Sequence, residues 1–308
     1  MSNKISKVFM AFAGGKESTE GSVVKRYIGI APVFVIAVNP TKAELEKLYN
    51  TTLEKDLNYL SEAEVAGKKV PQVRIDFIVK TDAAKANGIE MITKATYFLT
   101  KEFQYNKDAT KVKVINKYGE TTWLPIEDAK NKVIPENLSW FEAADFRPCY
   151  IGEEELTLFI KSYLNIPNKS YRDKAGKVIE LSNKADAESR LDKIADYFKG
   201  DFKELKTVIG LQPNNKVKLG FGVKTTDDNK MYQAVFTHKP LKNNVTDYSK
   251  LGAEIKEKQD NGGYTNTVFS VDSLKEYIIE ATDFSQGAKN DTSDLPFGES
   301  KNPWEPKF

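Results

Sequence analysis

The sequence predicts a mainly β protein with inserted helices, an α+β chain built around a small closed or partly closed barrel. Three observations carry this. Short β-branched and aromatic runs separated by turns fill the first 126 residues, helical periodicity is concentrated at about 153–209, and alternating strands return from residue 216.

Val24 to Gly29 and Pro32 to Val38 are apolar, β-branched runs that predict strands. Asn39-Pro40 turns the chain, and Thr41 stands as N-cap of a short helix buried through Leu45, Leu48 and Tyr49. Residues 50–70 are charged and irregular, with Gly67-Lys68-Lys69 as an exposed turn. Gln72 to Lys80 alternates Val73, Ile75, Phe77 and Val79 with Gln72, Arg74, Asp76 and Lys80, interrupted by Ile78, which predicts a strand with one wet face. Ile89 to Thr100 carries strand residues, Ile92, Thr93, Thr96, Tyr97 and Phe98. Lys111–Asn116 and Thr121–Ile126 around Gly119 predict a hairpin.

Leu156, Phe159, Ile160 and Tyr163 recur at helical spacing, as do Leu191, Ile194, Tyr197 and Phe198. A third short helix is expected over Phe202 to Ile209. Beyond it, Val217, Leu219, Phe221 and Val223 face one way and Lys216, Lys218 and Lys224 the other, and a turn leads into Met231 to His238. Asp247 to Gln259 reads as a helix or an ordered loop, and Thr267–Val271 and Leu274–Ala281 as closing strands. The domain division expected is a flexible arm over 1–23, one elaborated barrel domain over 24–283 with the helical insertion at about 153–209, and a disordered tail over 284–308.

Composition removes several function classes. A single cysteine, Cys149, forms no internal disulfide and completes no cysteine zinc cluster; a single histidine, His238, removes most histidine-based catalysis. No stretch approaches the ~20 apolar residues of a membrane span, and the run Val8 to Ala13 is too short for a secretory core, so a cytoplasmic protein without membrane contact is expected. The 46 basic and 44 acidic side chains leave a net charge of +2, so any affinity for nucleic acid must come from a local patch.

Motifs that suggest chemistry reduce to structure. Gly220-Phe221-Gly222-Val223-Lys224-Thr225-Thr226 lacks the Gly before Lys that a phosphate loop needs and lies in an alternating strand, so its glycines mark a bulge or close backbone approach. Thr226 to Lys230 has the acidity of a cation loop without its ligand spacing. Glu153-Glu154-Glu155 are consecutive on a helix, diverge, and suit its positive end. Cys149 reads as a small buried hydrophobe. No cofactor or metal and no enzymatic activity is expected.

The informative pattern is basic and aromatic residues interleaved on the N-terminal strands. Lys25, Arg26, Arg74, Lys94, Lys111 and Lys113 are candidate phosphate contacts, and Tyr27, Tyr97, Tyr105 and Trp123 candidate platforms for bases. Unpaired strands are held by cations along the backbone and by stacking worth ~1–3 kcal/mol per base. The competing interpretation is a solvated sheet face backed by core aromatics. In the tail, Asp294, Phe297, Trp304 and Phe308 are candidate anchors for a partner's pocket.

Arg26-Tyr27-Ile28-Gly29-Ile30-Ala31, the stretch Val38 to Tyr49, Asn87 to Thr93, Gln212 to Val217 and Val245 to Leu251 together resemble the single-stranded DNA-binding proteins of crAss-like phages, over roughly residues 24–284. That resemblance implies an oligonucleotide/oligosaccharide-binding (OB) fold and a role in coating and protecting unpaired DNA during phage replication and recombination, in the host cytoplasm. Its implied partners are single-stranded DNA and, at the tail, phage replication proteins, with self-association open. It supplies no site residues. Single-strand binders often end in a strongly acidic, Phe-tipped tail, whereas here Asp294-Leu295-Pro296-Phe297 is internal. The alternative is a phage structural or protein-interaction protein that meets no nucleic acid.

Overall fold

The structure is a computed structural model that describes residues 25–116, 119–133, 146–165, 194–227 and 230–278. Among these, nine strands form one antiparallel sheet that curls strongly into a half-barrel. Its spine is β1 (Lys25–Val38), a single strand where the sequence shows two runs; Gly29, at φ +124°, lets the backbone pass within contact of Asp272 and Ser273. β1 pairs with β3 (Lys68–Thr81) on one side and with β9 (Val217–Thr225) on the other, and its first residues pair with β12 (Lys275–Ile278). The sheet extends from β3 to β4 (Ile92–Phe103) and β8 (Tyr150–Ile151), and from β9 to β10 (Met231–Lys242); β2 (Leu60–Val65) and β11 (Thr267–Phe269) add to β3 and β9. β2 replaces the irregular segment expected there, because Leu60 to Val65 folds back on β3 across Ala66-Gly67.

One face of the half-barrel is the core. Ile75, Phe77, Val79, Tyr97, Leu99 and Leu219 pack against α3 (Glu153–Tyr163), whose Leu156, Phe159, Ile160 and Tyr163 are the periodic set read from sequence. The Phe77 and Phe159 rings meet at 4.3 Å. Side chains of this size each contribute about 1.5–3 kcal/mol on burial. The insertion continues with α4 (Ile194–Tyr197) and α5 (Lys203–Gly210) on the same core, while residues 166–193 lie outside the described ones.

The opposite face is covered as well. α1 (Lys42–Tyr49) starts with the expected Thr41 cap, completed by Glu44 into a capping box, and buries Leu45 and Tyr49 over Ile78 and Ile92. α6 (Ser249–Asp260), a helix where the sequence left helix or loop open, buries Leu251 and Ile255 against Ile30 and Phe236. A β-carbon on Gly222 would meet Val268 O at 2.7 Å and the Phe236 ring at 3.0 Å, so this glycine marks close approach.

This second layer corrects the wet face expected of β3. Gln72, Arg74 and Asp76 are all buried, Asp76 to 1% exposure: the Arg74 guanidinium lies over the Tyr59 ring, Gln72 donates to Thr100 Oγ1 at 3.1 Å, and the Asn39 side chain ties the β3 main chain, donating to Arg74 O at 3.1 Å and accepting from Asp76 N at 2.6 Å.

β5 (Lys111–Ile115), β6 (Thr121–Pro125) and β7 (Arg147–Pro148) form a second, three-stranded sheet in the order β6-β5-β7, which includes the expected hairpin. With α2 (Ile126–Asn131) it encloses its own apolar cluster, Val112, Val114, Leu124, Ala129 and Phe146. Backbone bonds from Gln104 N to Cys149 O and from Cys149 N to Lys113 O join this hairpin sheet to the half-barrel, and Cys149 is fully buried beside Ile115. Between β8 and α3, Gly152 adopts φ +83°, and a β-carbon there would fall 1.9 Å from Phe98 O, so only glycine lets the chain turn into α3 at this distance from β4. The expected arm over 1–23 and tail over 284–308, with Asp294, Phe297, Trp304 and Phe308, lie outside the described residues.

Candidate nucleic-acid interface

The structure distributes the ten strand residues predicted from sequence over three places. At the start of β1, Lys25 is exposed and pairs with Glu276 at 2.9 Å across β12. Arg26 is buried, its Nε donating to Met231 O at 3.3 Å, and Tyr27 is half-buried against the main core, with its backbone held by the Gln233 amide. The Arg26 guanidinium, a phosphate candidate from the sequence, is engaged by the β10 backbone.

The second place is the interior. Arg74 Nε and Lys94 Nζ flank Asp76 Oδ2 at 3.2 and 3.7 Å, with the two basic side chains only 10% and 12% exposed. Burial pushes the Lys94 ammonium below its ordinary range against the pull of Asp76. Tyr97 is 2% exposed, donates its hydroxyl to Thr237 O at 2.9 Å and packs edge-on to Phe77; burial drives its phenol far up. Arg74, Lys94 and Tyr97 are thus buried and bonded within the half-barrel. Alternation along β3 separated its two faces, but it carries no information about a second covering layer.

The third place is the hairpin sheet. Register sets Lys113 opposite Trp123 and Lys111 opposite Pro125, so these residues share one face. Lys113 Nζ lies 4.9 Å from the centre of the Trp123 ring, and the indole is 38% exposed. Lys111 is exposed and makes no ion pair among the described residues. Tyr105 is 44% exposed but bridges Val112, which places it on the opposite face, beside the apolar cluster of this sheet.

Glu154, from the first turn of α3, closes the Lys113 end of the face. Its carboxylate accepts from Lys113 Nζ at 2.5 Å and from Thr121 Oγ1 at 2.6 Å. Burial works to raise the pKa of this group, yet those two donors outweigh it and hold the carboxyl below its usual range. Its neighbours diverge as expected of consecutive helical residues. Glu153 is fully buried and accepts from the Arg147 guanidinium and Tyr150 N, whereas Glu155 is pushed up by burial, against the pull of Lys258.

Sequence reasoning missed Thr121 and Glu154 as parts of this face, along with a further basic and aromatic row. Just before β9, Lys216 Nζ sits 4.8 Å over Phe34 while paired to Asp82, and on β9 Lys218 donates to Tyr248 Oη at 2.9 Å. The signal for the row was the outward lysine alternation of β9. Glu154 left no comparable signal, since only tertiary docking of α3 brings it to the hairpin. None of the ten predicted strand residues lines the polar groove of about 630 Å³ between Thr225–Asp227 and Gly263–Val268.

Among the described residues no group of His, Cys, Asp and Glu could hold a metal ion, and no helix is long and apolar enough to cross a membrane. No family model, curated protein or solved structure matches the chain.

Proposed function

We propose that the protein binds single-stranded DNA with little sequence preference, as a non-enzymatic coat for unpaired strands in phage replication and recombination in the host cytoplasm, and that its half-barrel is an elaborated OB-like barrel. The observation that carries this reading is the hairpin face, where an exposed indole is flanked at neighbouring register positions by Lys111 and Lys113. Bases stack on Trp123 and phosphates run along the lysines, with Tyr105 available where the strand rounds the sheet edge. The contact set is smaller than the ten residues read from sequence. Replication proteins at the tail, and self-association, belong to the same proposal.

A second reading, a phage structural or protein-interaction protein, is favoured by one observation: five of the six predicted cations, Lys25, Arg26, Arg74, Lys94 and Lys113, already bond to groups of the chain itself. Titration of labelled oligothymidine at several salt concentrations separates the two. DNA binding predicts an affinity that falls with salt, with a log–log slope of ~0.7 per neutralised phosphate, and that is lost in a folded Trp123→Ala chain. A flat response selects the second reading, whereas full, salt-sensitive affinity without the indole keeps DNA binding and moves it off the hairpin face.

A further inference from the structure

Resting on the DNA-binding reading, we propose that Glu154 occupies the seat of a nucleotide: Lys113, Thr121 and Trp123 form a site for one phosphodiester and its base, and the incoming phosphate displaces the Glu154 carboxylate. The geometry is that of an occupied anion site. Two donors from neighbouring strands, Lys113 Nζ and Thr121 Oγ1, converge on the two oxygens of one carboxylate, at 2.5 and 2.6 Å. A phosphodiester offers two non-bridging oxygens to the same pair of donors.

The cation is mostly enclosed, with 12% of the Lys113 side chain exposed, whereas Glu154 is 33% exposed and can swing outward. An indole lies directly beside the cation, so a nucleotide whose phosphate takes the carboxylate's place has a ring surface for its base within the same face. Asp76 provides the contrast inside this molecule. It also sits between two cations, but at 1% exposure and with the Tyr59 ring against Arg74, no ligand can exchange with it.

The exchange has a measurable signature. In the wild-type chain a phosphate replaces a carboxylate at Lys113, so that lysine releases no net counterion. With Glu154→Gln, Lys113 becomes a cation neutralised only by DNA, and the salt slope should steepen by ~0.7. Affinity should rise by up to roughly fivefold, the range set by removing one partly exposed ion-pair competitor.

The experiment is anisotropy titration of labelled oligothymidine with the full chain, its Glu154→Gln and Thr121→Val variants, and the double variant Glu154→Gln/Lys113→Met, with circular dichroism to verify folding. The proposal expects a tighter, more salt-sensitive Glu154→Gln protein, loss of that gain in the double variant, and severalfold weaker binding for Thr121→Val. Wild-type binding with the same affinity and slope in Glu154→Gln overturns the proposal and leaves the parent reading standing. Should Glu154→Gln fail to fold, unchanged affinity in Thr121→Val overturns it instead. Absence of binding by the wild-type chain at low salt removes the parent reading and this one with it.

Discussion

Two clusters in this molecule share one chemical motif at different depths. In the half-barrel Arg74 and Lys94 clamp Asp76, and in the hairpin sheet Lys113 and Thr121 hold Glu154. The first is sealed, with Asp76 at 1% exposure and the Tyr59 ring against Arg74; the second opens to solvent beside Trp123. Charge and residue type are therefore poor guides to function on their own. What separates a structural ion cluster from an exchangeable one is whether another element folds over it.

The largest expected effect breaks the sealed cluster. Asp76→Ala leaves two buried cations without their shared counterion and should cost about 3–5 kcal/mol of stability, read as a shifted urea midpoint. Glu154→Ala, at a half-open site, should cost far less; equal losses would erase the distinction between the two.

Acid should likewise act on the half-barrel. Burial, then the nearby charges of Lys258 and Lys239, push the His238 imidazole down to about 3, and its Nδ1 hydrogen-bonds Tyr264 Oη. Because the folded value lies below the unfolded one near 6.5, the unfolded chain takes up the proton first. The stabilisation is complete above pH 6.5 and is lost as pH falls toward 3, at up to about 1.4 kcal/mol per pH unit. Urea midpoints measured against pH, with His238→Gln as control, should show that slope in the parent only.

Next in size is a crossed test of the two aromatics. Trp123→Ala should remove ~1–3 kcal/mol of oligothymidine binding, whereas Tyr97→Phe should leave binding unchanged and lose about 1 kcal/mol of stability with the bond to Thr237 O. Reversal of the two readouts would falsify the assignment of faces. The smallest effect, no resolvable shift of the urea midpoint, is expected at Lys25→Met, whose pair with Glu276 is exposed at both ends.

Much of the fold was legible because local chemistry decides it. Thr41 with Glu44 starts α1, the spacing of Leu156, Phe159, Ile160 and Tyr163 sets the buried stripe of α3, and the short turn after Asn116 fixes the register that faces Lys113 with Trp123. The candidate site was legible only to that extent. Alternation along β3 set Arg74 and Asp76 on the face away from Ile75 and Phe77, but Tyr59 covers Arg74 from a different part of the chain, and no periodicity in β3 encodes that. Glu154 escaped for the same reason: 33 residues separate it from Thr121, and the contact exists only once α3 has docked. Sequence periodicity is a property of single elements, whereas both clusters are made between elements.

Gly152 carries a consequence for how such a site can change over generations. Since no side chain fits against Phe98 O, the tilt of α3, and with it the reach of Glu154, is inherited from main-chain geometry. Repacking of neighbours cannot retune it. Variation in anion preference is then channelled into the side chains at 113, 121, 123 and 154, and a lineage that replaced the glycine would have to rebuild the whole junction before selection could act on the ligand.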